Sequence, residues 1–227
     1  FIHGWLGSKE DWQKVRHYLD LDNPMLFYDQ RCHGDSACEE FDFSDLSEDL
    51  HDLIEYYDIE KPILAGHSMG GMVALTYFAA GGPVSGLFLL GTSASTPEPV
   101  KGSPKYFLDN FGKIDRREWA REIVENYVGE EKSEVSERAF QELVEANEKP
   151  VIYGLKSMID YDIREDLREI DTDAKLIAGT RDGAITREKS EELARILDCE
   201  IIELESSHLI MFEKPEKVAE ELTEFIS

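Results

Sequence analysis

The chain has 227 residues, 41% of them hydrophobic, and carries 24 Lys plus Arg against 49 Asp plus Glu, a formal charge of −25 at pH 7. That size supports one domain with a sizeable core, with or without an insertion; the charge opposes a phosphate backbone, so no nucleic-acid partner is expected. No apolar run approaches the length of a bilayer span, so no membrane partner is expected and a soluble protein is.

The acids are spread through helical stretches such as RREWAREIVENYVGEEKSE (116–134) instead of being gathered in a tail, which reads as a strongly solvated surface of a salt-adapted kind. Three cysteines, Cys32, Cys38 and Cys199, match neither metal-ligand spacing nor a dense disulfide framework. A cytoplasmic setting with free, packed thiols is the expectation, a local Cys32–Cys38 bridge being the alternative. The strand-like opening without a methionine leads us to expect residues upstream of Phe1.

In chain order, FIHG (1–4) reads as the end of a strand and PMLFYD (24–29) as the next, followed by a helix over 44–58 with Ser44 as its cap. The alternation repeats with the strand KPILAG, a helix of small and apolar residues from Met69, and the strand VSGLFLLG (84–91). After Thr92 a Pro/Ser-rich passage leads into helices near 104–111, 115–128, 134–147 and 150–160 with no strand between them. Their aromatic residues Tyr106, Phe107, Phe111, Trp119, Tyr127 and Phe140 recur at partly helical spacing, so most should be core and the rest should line a pocket roof. Alternation resumes with strand 174–180, a helix from Thr186 to Leu197, strand 199–205 and a last helix opened by Pro215.

The implied fold class is α/β: a mostly parallel central sheet flanked by helices, with an inserted helical cap. The core is assigned to 1–91 and 161–227, and the cap to 92–160.

Within this frame AGHSMGG (65–71) stands out, because it follows an apolar run and removes side chains on both sides of Ser68. A plain turn, with Ser68 as a helix cap, is one reading. The other is a strand-to-helix turn so tight that it thrusts the serine oxygen into a pocket.

Four stretches decide between them: FIHGWLGS (1–8), YDQRCHGDS (28–36), AGHSMGG, and the pair AGTRDG (178–183) with SSHLIMFEKPEKV (206–218). In this order, at the ends of predicted strands, they resemble the α/β-hydrolase superfamily, specifically a serine esterase-like member with a helical cap. The resemblance spans nearly the whole chain apart from the cap. It implies Ser68 as nucleophile, His208 as the base, and Asp182 as the carboxylate that orients the imidazole. Asp171 and Asp173 compete for the last role but precede their strand, and GTSAS after the preceding strand offers no carboxylate. The backbone N–H groups of Trp5 and Met69 are the implied oxyanion donors.

By the same resemblance His3 supports the oxyanion loop, His67 fills the elbow beside the serine, and Asp29, Arg31 and His33 stabilise loops. Family forms often have glycine where Cys32 stands, so this turn is where the chain departs from the pattern.

The expected activity is hydrolysis of small-molecule carboxylic esters through an acyl-enzyme, with no cofactor and no metal. A serine at the elbow argues against the dehalogenase and epoxide-hydrolase members, which use aspartate there. Thioesters and lactones pass through the same chemistry. A lyase similar to SHCHC synthase is the rival inside enzymology, with Arg116, Arg117 and Arg121 as the cations its acidic substrate would want. A non-catalytic small-molecule-binding member of the fold is the rival outside it. Nothing in the sequence sets the oligomeric state.

Overall fold

A computed structural model describes residues 1–96, 102–129, 133–167 and 172–227. Among these residues the sheet has four strands, β1 (Ile63–His67), β2 (Gly86–Leu90), β3 (Ala174–Gly179) and β4 (Glu200–Leu204), in the order β1-β2-β3-β4. Every neighbouring pair is parallel. The sequence GLFLL of β2 is buried throughout, as a strand covered on both faces requires. Its side chains alternate: Leu87 and Leu89 enter one hydrophobic core, Phe88 and Leu90 the other.

In chain order the helices are α1 (Gln13–Tyr18), α2 (Phe43–Tyr56), α3 (Met69–Ala79), α4 (Pro104–Asn110), α5 (Arg116–Tyr127), α6 (Glu134–Glu145), α7 (Glu148–Met158), α8 (Arg164–Leu167), α9 (Arg187–Leu197), α10 (Ile210–Glu213) and α11 (Pro215–Ile226). Helices α1, α10 and α11 pack together on one face, burying Val15, Met211, Val218 and Leu222 with Phe88. On the other face α3 packs against β1 and α2, and α9 against β3. Nearly every residue of α3 is buried, which is why its sequence, MGGMVALTYFA, has no polar stripe.

Helices α4 to α7 lie between β2 and β3 and pack in pairs, α5 with α6 and α4 with α7. Their two connections to the sheet run side by side. The Ile163 N–H donates to the Ala94 carbonyl (2.9 Å) and the Thr96 N–H to that of Tyr161 (2.8 Å). Of the aromatic residues expected here, Phe107, Trp119 and Phe140 are buried, while Tyr106, Phe111 and Tyr127 are partly buried against the same core.

Four local expectations need correction. The segment 24–29 forms no ladder. The Phe1 nitrogen donates to the Leu26 carbonyl (2.8 Å), but the Gln30 amide is taken by the His3 ring (3.0 Å) and not by a strand carbonyl. Residues 1–4 contribute only a single parallel bridge, Ile2 to Gly66. The cap of α2 is Asp42, not Ser44: its carboxylate accepts from the Ser44 (2.7 Å) and Asp45 (3.1 Å) amides, and the Asp45 carboxylate accepts from the Asp42 amide (2.9 Å), a reciprocal box that Ser44 cannot make from inside the helix. Finally, Cys32 and Cys38 form a disulfide. Cys32 and Gly34 both take positive φ (65° and 50°), and the Cys32 N–H donates to the Ala37 carbonyl (2.9 Å), so the chain doubles back and brings the two sulfurs together. Cys32 thus occupies the left-handed conformation that favours glycine, and the bridged pair is no sign of a reducing compartment.

Among the described residues no helix is long and apolar enough to cross a membrane.

Candidate active site

Ser68 follows β1 and precedes α3 with φ 52° and ψ −120°, a conformation that non-glycine residues seldom adopt. The glycines around it make the turn possible. A Cβ on Gly66 would stand 2.6 Å from the Gly70 carbonyl oxygen, and one on Gly71 would stand 2.6 Å from the Thr92 methyl group. The Ser68 N–H donates to the Leu90 carbonyl (2.9 Å), and its own carbonyl accepts from Thr92 Oγ1 (2.9 Å). Ser68 holds the N-cap position of α3, yet its side chain makes no capping bond. The hydroxyl lies instead 2.9 Å from His208 Nε2.

His208 follows β4, and main-chain contacts hold it from two sides. Its N–H donates to the Tyr127 carbonyl (2.9 Å) and its carbonyl accepts from His67 Nε2 (2.9 Å). Its Nδ1 is 2.8 Å from Asp182 Oδ2, with the two side chains only 3% and 2% exposed. The other Asp182 oxygen accepts from the amides of Ala184 (2.8 Å) and Ile185 (2.9 Å). With Nδ1–H donated to the carboxylate, the Nε2 lone pair faces the serine hydroxyl, the tautomer a general base needs. Asp173 lies at the opposite end of the sheet, its carbonyl accepting from Leu87 N–H (2.9 Å); Asp171 falls outside the described residues.

Met69 is the first residue of α3, so its N–H has no partner one turn back in the helix. Trp5 follows Gly4, where a Cβ would come within 3.4 Å of Ser68 Cβ. The Gly4–Trp5 segment thus passes beside the serine, and Met69 adjoins it in the chain. His3 braces this loop: its Nδ1–H donates to the Gly4 carbonyl (2.8 Å), and Nε2 accepts from Gln30 N–H (3.0 Å). Asp29 accepts from the Lys9 amide (2.8 Å), and Arg31 grips Asp49 with two bonds of 2.6 Å.

A cavity of about 70 Å³ opens beside Ser68 and His208, walled by Trp5, Leu6, Val124, Tyr127, Leu143 and Phe212. Asp11 and Glu142 also line it, and sequence reasoning singled out neither. Asp11 lies in the 3₁₀ turn Lys9–Trp12 and Glu142 on α6. The only local signal for this pair was Arg138 one helical turn before Glu142. The three arginines of α5 point elsewhere: Arg116 donates to the Leu143 and Ala146 carbonyls (both 2.9 Å), while Arg117 and Arg121 lie over the Phe140 ring. Among the described residues no group of three or more His, Cys, Asp or Glu is arranged to hold a metal ion.

A model described as "Alpha/beta hydrolase family" matches residues 1–221. The chain belongs to this family. The AB hydrolase superfamily protein YisY of Bacillus subtilis (strain 168) is 26% identical over 99% of this family member and 90% of its own length. A 2-succinyl-6-hydroxy-2,4-cyclohexadiene-1-carboxylate synthase from Yersinia pseudotuberculosis serotype O:1b (strain IP 31758) is 39% identical, but only over 38% of this chain and 32% of its own. Among solved structures, an esterase (EaEST) from Exiguobacterium antarcticum superposes with a TM-score of 0.87 at 22% identity, covering 99% of this chain and 90% of that one. At that identity the likeness is one of fold.

In this α/β hydrolase the elbow histidine has a measurable consequence. Burial, which penalises the imidazolium, pushes the His67 pKa down to about 3, with a smaller electrostatic contribution from the neighbouring His208 ring. The unfolded chain takes up that proton near pH 6.5. The stabilisation from neutral His67 is thus complete above pH 6.5 and is lost as pH falls toward 3, amounting to about 2 kcal/mol by pH 5. In urea unfolding, the stability advantage of wild type over His67→Gln should be about 2 kcal/mol smaller at pH 5 than at pH 8. Relief of the general acidic repulsion cancels in this difference, so an unchanged gap rejects the assignment.

Proposed function

We propose that the chain is a serine hydrolase that cleaves carboxylic esters of small molecules through an acyl-enzyme. The supporting observation is the unbroken path from Ser68 Oγ to His208 Nε2 (2.9 Å) and from His208 Nδ1 to Asp182 (2.8 Å). Ser68 attacks the ester carbonyl while His208 takes its proton, and the oxyanion that forms is met by the Met69 and Trp5 N–H groups. The carbon–oxygen bond to the alcohol then breaks, with the His208 proton passing to the leaving oxygen. Water, deprotonated by His208, attacks the acyl-serine; the bond from the acyl carbon to Ser68 Oγ then breaks, His208 returns the proton to that oxygen, and the acid leaves. All these steps use side chains and amides of the chain itself.

The cavity limits the acyl group. Its volume of about 70 Å³ is well below the roughly 150 Å³ that accommodates benzene in an engineered protein cavity, which favours acyl groups of a few carbon atoms. With p-nitrophenyl acetate, butyrate and octanoate, kcat/KM should fall by about tenfold or more from the shortest to the longest. A fluorophosphonate should label the protein at Ser68. Absence of both turnover and labelling rejects the reading.

The local likeness to the synthase favours one second reading, a lyase in which the same triad abstracts a proton. That relative's name describes a product with more than one carboxylate, whereas Arg116, Arg117 and Arg121 are directed away from this cavity. Inertness toward esters with turnover of an acidic cyclohexadiene precursor would favour the lyase. Thioester or lactone hydrolysis would show in the same panel, and a ligand returned unchanged would mark a binding protein.

A further inference from the structure

The inference concerns substrate charge and rests on the hydrolase reading above. Arg138 on α6 donates through one terminal nitrogen to Asp11 Oδ1 (2.9 Å) and through Nε to Glu142 Oε1 (2.7 Å). Its guanidinium carbon stands 4.2 Å from the centre of the Phe212 ring, another wall of the cavity. The cation is thus held between two carboxylates and an aromatic face, while both carboxylates line the cavity that contains Ser68 and His208.

These groups form a graded path. Asp11 is enclosed, its side chain 10% exposed, and its second oxygen accepts from the Ser8 amide (3.2 Å). Glu142 is 44% exposed and stands at the rim. Two carboxylates against one guanidinium leave a net charge of −1 along the way to the serine, on a chain whose formal charge is −25. Tyr127 and Phe212 line the same cavity, the Phe212 ring carrying the Arg138 guanidinium. Among the described residues lining the cavity there is no Lys or Arg to meet a substrate carboxylate.

We propose that Asp11 and Glu142 determine specificity by charge: the site prefers esters with a cationic alcohol portion, accepts uncharged ones, and turns away those that carry a carboxylate. An anionic ester must approach the acidic rim and lose hydration beside an Arg138 already paired with two carboxylates. A cationic ester gains the Coulomb attraction of the carboxylates at the rim. Glu142 is partly solvated, so the discrimination should weaken as salt rises.

Three acetate esters test this directly: acetylcholine, its uncharged carbon analogue 3,3-dimethylbutyl acetate, and the acetate ester of 4-hydroxybutanoate. Burial raises the Asp11 pKa to about 6, so the assay is run at pH 8, where Asp11 is ionised. At low salt kcat/KM should follow the order cationic, uncharged, anionic, with about 100-fold between the extremes. In Glu142→Gln the cation-to-anion ratio should fall about tenfold, a ratio measured within one protein and therefore independent of how much of it is active. A ratio near one in the wild type, or the same ratio in Glu142→Gln, overturns the proposal while leaving the hydrolase reading intact. Inertness toward all three esters, with no fluorophosphonate labelling of Ser68, overturns the hydrolase reading itself.

Discussion

Replacing Ser68 with Ala is expected to lower kcat for ester hydrolysis by about 10⁶-fold, the scale seen when a nucleophile that acts with its base as one unit is removed. His208 would then face a methyl group, and the remaining amides and cavity could only hold the ester beside water. The fold should survive. The bonds that fix Ser68 are main chain on its N–H side and a Thr92 hydroxyl on its carbonyl side, and alanine keeps both. The positive φ of 52° strains alanine about as much as serine. The measurement is steady-state turnover of p-nitrophenyl acetate, with intact-protein mass after fluorophosphonate treatment and a thermal melt alongside. A variant that keeps a hundredth of the activity would show that another group attacks the ester.

Asp182→Asn should come next, with a loss of about 10⁴-fold in kcat at neutral pH. The reason lies in the two amides of Ala184 and Ile185, which donate to Asp182 Oδ1 at 2.8 and 2.9 Å. They require an acceptor, so an asparagine in this place must turn its carbonyl oxygen toward them and its NH₂ toward His208. The imidazole then accepts at Nδ1 and carries its proton on Nε2, where it cannot receive the proton of Ser68. The side chain keeps its shape and its backbone contacts, so stability should change little. Fluorophosphonate labelling of Ser68 should slow with kcat, because both need the same deprotonation. Activity within tenfold of wild type would assign the orienting role to some other group.

These expectations show what a linear reading can supply. The elbow was legible because its cause is local: an apolar run, two flanking glycines and a run of small residues force a strand-turn-helix whatever else the chain does. The placement of Asp182 and His208 after the third and fourth strands was legible for a similar reason, since strand ends are marked by short-range composition. In a parallel sheet all such ends lie along one edge.

Elsewhere local signals were insufficient. Residues 24–29 have the composition of a strand, but a strand exists only through its neighbour, and His3 takes the Gln30 amide that a ladder would have used. Cys32 and Cys38 are close in sequence either way; the positive φ values at Cys32 and Gly34 decide that their sulfurs meet.

What the amino-acid order determined by itself was therefore the alternation of strands and helices, the family, and the serine, histidine and aspartate that the structure joins in one hydrogen-bonded series. Only the tertiary structure decided the size of that cavity and the charge around it. Asp11 and Arg138 are 127 positions apart and meet because α6 is laid over the 3₁₀ turn that precedes α1. Periodicity can tell which face of a helix is apolar, but the angle at which that face docks depends on the packing of side chains from distant segments, and it is this angle that selects the charges facing a substrate.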